Sequence, residues 1–184
     1  AFAKELQHPR WLYVLPNGDV LVAETDAPPK PDDSKGIRGK IMKLLMKRAG
    51  SSHQSANRIS LLRDRNGDGV ADQKTIFLQN LNSPFGMALV GNTLYVANTD
   101  ALMRFPYQKG ATQITASGSK VLNLPSGSLN HHWTKNVIAN PAGSKLYITV
   151  GSNSNVAENG LDQETGRALI MEFNIASGKA RPFA

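Results

Sequence analysis

Cysteine is the first residue type that this sequence lacks. None of the 184 residues is a cysteine, which excludes disulfide bonds, thiolate catalysis and Cys-based zinc or iron–sulfur sites. The absence does not fix a compartment, because an oxidising space permits disulfides without requiring them. The G-x-S-x-G, H-E-x-x-H and P-loop signatures are also missing. The sequence therefore offers none of the common hydrolase or nucleotide-binding motifs.

Long hydrophobic runs are the second absence. No apolar stretch approaches the roughly 20 residues that a membrane-spanning helix needs. The first residues carry neither the charged start nor the apolar centre of a signal peptide, so we expect either no leader or one already removed. Hydrophobic residues still make up 40% of the chain, which is enough to bury a core.

The net charge of +7 comes from 21 Lys and Arg against 14 Asp and Glu. Such a surface can attract nucleic acid, anionic lipid or an anionic cofactor. The basic residues concentrate in 35–48 and are otherwise scattered, without the interleaved aromatics typical of nucleic-acid binding. We therefore interpret the charge as a solvated surface and expect no nucleic-acid partner.

Three segments of the sequence resemble one another. Each starts with a Gly- or Asn-containing turn and continues with alternating aliphatic and small residues; the segments are 16–24, 90–98 and 141–150. This pattern is typical of a strand that leaves a tight turn. The stretches that begin at His8, Ser83 and His132 precede the three copies, and each predicts a partner strand across the turn.

Looser similarities after each copy predict two more strands per unit, which makes each unit a four-stranded antiparallel meander. The candidates for third strands are 40–45, 101–105 and 167–173; those for fourth strands are 58–62 with 74–78, and 119–124. Residues 40–48 are also compatible with a short amphipathic helix, because Ile41, Leu44 and Leu45 share a helical face.

The spacing of the copies predicts the fold class. Leu21 and Leu94 hold equivalent places 73 residues apart, and Leu94 and Leu146 are 52 apart. Propeller repeats run roughly 40–50 residues, so the first interval contains insertions, which we place at 26–40 and 64–72. We predict an all-β protein, a β-propeller of four-stranded antiparallel blades, with about three blades in residues 1–184. A β-sandwich or a mixed fold is the alternative.

Three blades do not close a propeller, which needs about 4–8 of them. The two open flanks must be covered. We expect residues 1–184 to be the N-terminal part of one propeller domain, with the remaining blades supplied by the rest of the polypeptide. Closure by two or more copies of the chain is the alternative.

The densest polar cluster is 130–136, where a loop enters the first strand of the third unit. Loops at one end of a rigid scaffold commonly carry the ligands, and a histidine there can act as a base near neutral pH. As neighbours on a strand, His131 and His132 would point to opposite faces, so only one of them can face the site. A structural histidine bonded to the backbone is the alternative.

Two loops are further candidates for a site. The polar, Gly-rich loop 151–162 suits hydrogen bonds to sugar hydroxyls or quinone oxygens, although an ordinary turn has the same composition. The loop 64–72 matches the first nine positions of a calcium-binding loop but has Thr75 in place of the final bidentate Glu. We predict a structural calcium site there rather than a bare acidic turn, with the ligands Asp64, Asn66, Asp68, Val70 and Asp72.

Several of these segments resemble a known family. The stretch 131–155, which begins His-His-Trp-Thr-Lys-Asn, is similar to the L-sorbosone dehydrogenase branch of the soluble glucose dehydrogenases that use pyrroloquinoline quinone (PQQ). The stretches 8–25, 62–72 and 81–87 resemble the same branch. The resemblance implies a six-bladed propeller that binds PQQ and calcium and oxidises sugars at the anomeric or aldehyde carbon.

The resemblance also implies roles for individual residues. The family's catalytic histidine is best matched by His132, which would remove the hydroxyl proton while hydride passes to the quinone. The acidic neighbour that the family often has before this histidine is replaced by His131, so Glu158 and Asp162 are the candidates for the partner of the base. His132, Asn82 and Asn153 are the candidates for contact with the cofactor. Most family residues that grip PQQ and calcium lie in later blades, so this chain alone should form an incomplete, inactive site.

The leading hypothesis is therefore a periplasmic or secreted PQQ-dependent dehydrogenase of an aldose or sorbosone-type sugar. Its partners are a small sugar and an electron acceptor that the sequence does not identify. A non-catalytic calcium-containing propeller that binds carbohydrate or protein is the second hypothesis. A metal-dependent lactonase-like propeller is the third, and the placement of the acidic loop in an insertion counts against it.

Overall fold

The computed structural model describes residues 1–28, 41, 55–127 and 129–184. In these residues, twelve strands form three four-stranded antiparallel sheets, each in the order of the chain. The first sheet contains β1 (Pro9–Val14), β2 (Val20–Glu24), β3 (Arg58–Arg63) and β4 (Gln73–Leu78). The second contains β5 (Met87–Val90), β6 (Thr93–Ala97), β7 (Ala101–Pro106) and β8 (Ser119–Asn123). The third contains β9 (Val137–Ala139), β10 (Lys145–Val150), β11 (Leu169–Asn174) and β12 (Ala180–Pro182).

Among the described residues, Ile41 is helical and the remaining helix is 3-10. A single turn of 3-10 helix, Leu161–Glu164, lies in the connection between β10 and β11. Within the described ranges, no helix is both long enough and apolar enough to cross a membrane.

The register of the three sheets follows the predicted repeat. Leu21, Leu94 and Leu146 occupy the same place in the second strand of each sheet, and each pairs with the first strand on one side and the third strand on the other. All three leucines are completely buried. Successive side chains in these strands therefore point to opposite faces of each sheet, as the alternating residue pattern predicts.

The turn between β1 and β2 is tied to the next strand by a buried charge. Gly18 adopts a φ of 89°, which is the left-handed region that favours glycine. The Leu15 N–H donates a 2.8 Å hydrogen bond to the Asp19 carbonyl oxygen across the turn. The Asp19 carboxylate is almost fully buried and accepts hydrogen bonds of 2.7 Å from both Nε and Nη2 of Arg63. These bonds to the guanidinium lower the pKa of Asp19 below its usual value.

The central sheet is buried on both faces. Leu94 and Val96 in β6 pack in a cluster shared with the first sheet, whereas Tyr95 and Ala97 pack in a second cluster shared with the third sheet. Because side chains alternate along a strand, one strand serves both clusters. Burying each large apolar side chain contributes about 1.5–3 kcal/mol, so the layers between the sheets stabilise the structure.

The sheets converge at their first strands. β1 contacts β5, and β5 contacts β9. Aromatic rings follow this inner edge, since the ring centroids of Trp11 and Phe85 are 5.2 Å apart and those of Phe85 and Trp133 are 6.3 Å apart. The three sheets are therefore successive blades of a β-propeller, with β1, β5 and β9 innermost. We call the end of the blades at which these inner strands begin the upper end.

Some predicted strands hold other positions. In the first blade the third strand is Arg58–Arg63 and the fourth is Gln73–Leu78, whereas 40–45 and 58–62 with 74–78 were predicted in these roles. These predictions were wrong because a long insertion separates β2 from β3, its partner in the sheet. A local repeat does not reveal the length of such an insertion. Except for Ile41, residues 40–48 lie outside the described residues, as does most of the insertion 26–40. The third blade is completed by β12, which was not predicted.

Candidate active site

The segment that leads into the inner strand of the third blade carries the predicted base. β9 begins only at Val137, and His131 and His132 lie in a turn before it. The prediction that they sit on a strand is therefore wrong, and their side chains are not assigned to faces by strand alternation. His131 is half-buried, whereas His132 is exposed at the upper end of the inner edge.

One ring nitrogen of His132 has a partner that determines its tautomer. Nδ1 lies 3.0 Å from the backbone carbonyl oxygen of Ser152, which follows β10. A carbonyl oxygen can only accept, so Nδ1 must carry the proton and donate it. The neutral imidazole then has its lone pair on Nε2, which is the form that a general base requires.

Glycine at position 151 permits this contact. A Cβ built on Gly151 would lie 2.5 Å from the Cβ of His132 and 2.9 Å from the His132 carbonyl oxygen. Any side chain at this position would therefore push the two loops apart. The φ of Gly151 is not in the left-handed region, so the requirement is for space and not for an unusual backbone conformation.

Glu164 organises the loop that holds the histidine. Its carboxylate accepts hydrogen bonds from the hydroxyls of Ser152 and Ser154 and from the backbone N–H of Asn153, the last at 2.7 Å. The bond from Ser154 is the main cause that lowers the pKa of Glu164. Sequence reasoning missed this residue, although a Glu beyond a Gly-Ser-Asn-Ser loop is the kind of signal that could have found it. By these bonds Glu164 holds the backbone of the loop in place, including the Ser152 carbonyl oxygen that accepts the hydrogen bond from His132.

Lys135 lies in the polar cluster 130–136, but no role was predicted for it. Its side chain is completely buried, and Nζ donates to the Trp133 carbonyl oxygen at 3.3 Å. Among the described residues no carboxylate forms an ion pair with it. Burial, with the nearby positive charge of Arg167, lowers the pKa of Lys135 to about 8. A buried, unpaired ammonium is costly, so this residue marks a site of functional interest.

A chain of hydrogen bonds joins Lys135 to the second blade. The Trp133 carbonyl oxygen also accepts from the Thr99 hydroxyl at 3.2 Å, and that hydroxyl accepts from the Asn130 amide at 3.0 Å. The Asn130 amide oxygen in turn accepts from Nη1 of Arg167 at 2.9 Å. Thr99 follows β6 and Arg167 precedes β11, so the network fixes the upper ends of two blades to each other.

The two acidic residues predicted as partners of the base lie elsewhere in the loop. The Glu158 carboxylate accepts from the N–H groups of Val156 and Asn155, and these bonds lower its pKa to about 2. Asp162 accepts from the side chain of Gln163 at 3.0 Å. In the part of the chain that the structure describes, neither residue hydrogen-bonds to His132. The imidazole is oriented instead by the hydrogen bond that Nδ1 donates to a backbone carbonyl oxygen, which no side-chain pattern could reveal.

The two predicted cofactor residues also lie at the upper end. Asn82 is exposed, and its carbonyl oxygen accepts a 3.0 Å hydrogen bond from the N–H of Thr99. Asn153 is buried, and its carbonyl oxygen accepts from the N–H of His131 at 3.4 Å. The structure thus brings both residues to the end that carries His132, from the second and third blades.

The predicted calcium loop is the connection between β3 and β4, at the end of the blade opposite His132. The Asp64 carboxylate accepts from the N–H groups of Gly67 and Gly69, which lowers its pKa, and Asp72 pairs with Arg65 at 2.9 Å. Over the described ranges, no three His, Cys, Asp or Glu side chains are grouped to hold a metal. In this conformation the carboxylate oxygens of Asp64 and Asp72 therefore bond to donors within the loop itself.

Comparison with known proteins identifies similar chains. A TrAA12-like family model matches residues 48–184. No curated protein matches the chain. The holo PQQ domain of pyranose dehydrogenase from Coprinopsis cinerea aligns with 95% of this chain at 17% identity and a TM-score of 0.65, and 35% of that domain is covered.

Two further solved structures have the same fold. The calcium structure of the Trichoderma reesei family AA12 protein has a TM-score of 0.63 at 13% identity over 96% of this chain and 37% of its own. The PQQ-bound aldose sugar dehydrogenase from Streptomyces coelicolor has a TM-score of 0.58 at 15% identity over 95% of this chain and 46% of its own. The chain thus spans between about a third and a half of the length of these proteins, all of which share its propeller architecture.

Proposed function

The chain belongs to the TrAA12-like family, and from this premise we propose that it forms part of a PQQ-dependent sugar oxidoreductase. The two dehydrogenases that share its fold are named as PQQ proteins. The reaction proposed is oxidation of a sugar hydroxyl to a carbonyl group. His132 is the proposed general base.

The observation that carries this proposal is the hydrogen bond between Nδ1 of His132 and the Ser152 carbonyl oxygen. It holds the imidazole in the tautomer whose Nε2 accepts a proton. The exposed ring lies at the inner edge of the blades, where a substrate can reach it. We assign the orientation of the base to Ser152, held by Glu164, rather than to Glu158 or Asp162.

The charge at the upper end fits an anionic quinone cofactor. Lys135 is a buried cation that no carboxylate among the described residues neutralises, and Arg167 adds a second positive charge nearby. PQQ carries three carboxylates, so this field favours it. Together with His132, Asn82 is the residue that we propose to line the cofactor, and Asn153 is a further candidate. When bound, PQQ supplies the two-electron acceptor that takes the hydride from the sugar carbon.

The chain's own contribution is the movement of one proton. Nε2 of His132 takes the proton of the sugar hydroxyl as the C–O bond becomes a carbonyl, so the imidazole becomes a cation. The positive charge then lies beside the Ser152 carbonyl oxygen, which stabilises the protonated ring through the Nδ1–H bond. Such positioned proton transfer contributes about 100- to 10,000-fold to a rate.

Calcium remains a proposal for the loop 64–72. Three Asp and one Asn occur there at alternate positions, and their oxygens accept hydrogen bonds from the loop itself, so calcium would have to displace these donors. Binding would require Asp72 to leave Arg65. We derive no step of the reaction through calcium.

The finer assignments are proposals as well. We propose an aldose or sorbosone-type sugar as the substrate, a location in the periplasm or outside the cell, and completion of the propeller by blades beyond these three. The resemblance of residues 8–25, 62–72, 81–87 and 131–155 supports the sorbosone-type substrate. Blades outside the chain would supply the remaining contacts to the cofactor.

The test is dye-linked sugar oxidation by the intact protein after reconstitution with PQQ and calcium. His132→Ala should lower turnover at least 100-fold while PQQ binding, followed by absorbance, is retained. The matched control is His131→Gln, which alters the neighbouring ring and should preserve turnover. Wild-type turnover in His132→Ala would contradict the assignment of the base, and sugar binding without oxidation would favour a non-catalytic propeller.

A further inference from the structure

The connection between the first and second blades, residues 79–86, crosses the upper end from β4 to β5. It carries Asn82, the residue proposed to line the cofactor. Asn82 is exposed, and no group in the described ranges hydrogen-bonds to its side-chain amide. The amide can therefore contact a ligand, and the backbone on either side of Asn82 determines where it lies.

The residue after Asn82 has a strained backbone. Ser83 is 2% exposed and adopts a φ of 43°, in the left-handed region that residues other than glycine rarely occupy. Pro84 follows, and a residue before proline is further restricted towards extended conformations. Such a conformation persists only where the surrounding structure holds it, and residues of this kind cluster at functional sites.

Asn57 supplies the contacts that hold this backbone. It directly precedes β3 at the upper end of the first blade, and its side-chain oxygen accepts a 3.1 Å hydrogen bond from the Ser83 N–H. Its backbone carbonyl oxygen accepts from the Leu81 N–H at 3.0 Å. One residue thus bonds to the chain on both sides of Asn82.

Asn57 is itself fixed to the first blade. Its φ of 47° lies in the left-handed region, which Asn tolerates better than most residues do. The Ser55 hydroxyl donates to the same side-chain oxygen at 2.7 Å and accepts from the Asp26 N–H at 2.9 Å. Asp26 lies just beyond the end of β2, so the oxygen that bonds to Ser83 is anchored to the first sheet.

The connection is also joined to the turn that carries the proposed base. The Asn82 carbonyl oxygen accepts from the Thr99 N–H at 3.0 Å, and the Thr99 hydroxyl donates to the Trp133 carbonyl oxygen at 3.2 Å. Trp133 directly follows His132. Hydrogen bonds through the connection and Thr99 therefore link Asn57 to the backbone beside His132.

From these contacts we propose that Asn57 is a positioning residue, which holds the Asn82 amide in the place from which that amide contacts the cofactor. The inference rests on the proposed function for the identity of the ligand. The hydrogen bonds of Asn57 do not involve the cofactor, so the position of Asn82 can be measured without it.

The first test is NMR of the intact, cofactor-free protein, in which the side-chain amide resonance of Asn82 is followed. Asn57→Gly removes the oxygen that accepts from Ser83, leaves a residue that tolerates the positive φ, and should shift this resonance. Asn57→Asp retains an acceptor and should restore it. Ser55→Ala is a milder variant, which removes only the hydroxyl that anchors this oxygen and should shift the resonance less.

The matched control is Asn140→Gly. The side-chain oxygen of Asn140 likewise accepts from backbone N–H groups, those of Ser144 and Lys145, in the turn between β9 and β10 at the end of the blade opposite His132. Its loss should leave the Asn82 resonance and the affinity for PQQ unchanged.

The second test is titration with PQQ, followed by absorbance. Asn57→Gly should weaken PQQ binding about three- to tenfold, the range expected for the loss of one hydrogen bond, and Asn57→Asp should recover it. Asn82→Ala should weaken binding by a similar factor. Adding Asn57→Gly to Asn82→Ala should cause no further loss, because the two residues act through one contact.

Three results would overturn the inference: an unshifted Asn82 resonance in Asn57→Gly, wild-type PQQ affinity in that variant, or an equal further loss of affinity when it is combined with Asn82→Ala. Failure of the proposed function gives a different result. A shifted resonance in Asn57→Gly, together with a wild type that does not bind PQQ, supports the positioning of Asn82 by Asn57 and contradicts the dehydrogenase.

Discussion

Gly151→Ala tests whether the close approach of two loops positions His132. The added Cβ would lie 2.5 Å from the Cβ of His132, while contacts under 3.4 Å are tighter than nine in ten real Cβ contacts. The turn must therefore move by about 0.9 Å to restore a contact of 3.4 Å. Catalytic groups tolerate only about 0.5 Å of displacement, and a shift of about 1 Å can cost about 100-fold in rate.

We therefore expect Gly151→Ala to lower kcat/KM for sugar oxidation about 100-fold. Overpacking should also reduce the free energy of unfolding by about 1–3 kcal/mol, measured by urea denaturation. A second readout is the ¹⁵N resonance of the His132 imidazole, which reports the bond from Nδ1 to Ser152. That signal should change in the variant even without the cofactor.

Gly118→Ala is the matched control. Its added Cβ would lie 2.3 Å from the ring of Phe105, in the second blade and at the opposite end from His132. This variant should lose stability through the same kind of clash and keep its kcat/KM. The reasoning is refuted if Gly151→Ala retains wild-type turnover and an unchanged His132 resonance, or if both variants lose activity equally.

Three further predictions concern buried or exposed charges. The pKa of Lys135 is lowered to about 8 in the folded protein, so the unfolded chain holds this proton more tightly than the folded chain does. The free energy of unfolding should therefore rise as the pH increases from about 8 to 10.5. The rise should be about 3 kcal/mol larger in the wild type than in Lys135→Met. Parallel curves in urea denaturation across this window would contradict the burial of the ammonium. The pKa of Asp19 is lowered by Arg63, so the stability it contributes is present above the usual Asp pKa and is lost as the pH falls through the lowered value. Asp19→Asn should flatten the acid limb of a stability–pH profile, and an unchanged limb would show that the ion pair contributes nothing. Calcium added to a calcium-free sample should raise Tm, and Asp64→Asn should abolish the increase; no shift in the wild type would remove calcium from the loop 64–72.

The network at the upper end explains why two blades are needed to build one site. Thr99 belongs to the second blade, whereas Asn130 and Trp133 belong to the third, and hydrogen bonds join all three. The Gly86 N–H also donates to the Lys135 carbonyl oxygen at 3.0 Å, which fixes the start of β5 beside the turn. A single blade would leave these groups without partners, so the position of His132 depends on the packing of neighbours.

Much of the fold could be predicted because it depends on local pattern. Gly/Asn turns and alternation with a period of two belong to short stretches, and they identify the β6 strand around Leu94 and the β10 strand around Leu146 directly. The error in the first blade arose where a long insertion separates β2 from Arg58, since pairing across a long connection leaves no local mark. The prediction that His132 lies on a strand failed for the same reason. The start of β9 is set by the pairing of its first residue with Ile148, and local propensity does not reveal that pairing.

By itself, the sequence determined the repeating blades and the loop that carries the histidine, because hydrophobic alternation and turn chemistry act between residues close in the chain. Only the tertiary structure decided what surrounds that histidine. Five features depend on which loops meet: the hydrogen bond from His132 to Ser152, the space at Gly151, the hydrogen bonds that Glu164 accepts, the burial of Lys135 and the unpaired side-chain oxygen of Asn153. Those contacts join residues that are separated along the chain, and their partners include backbone carbonyl and N–H groups that every residue possesses.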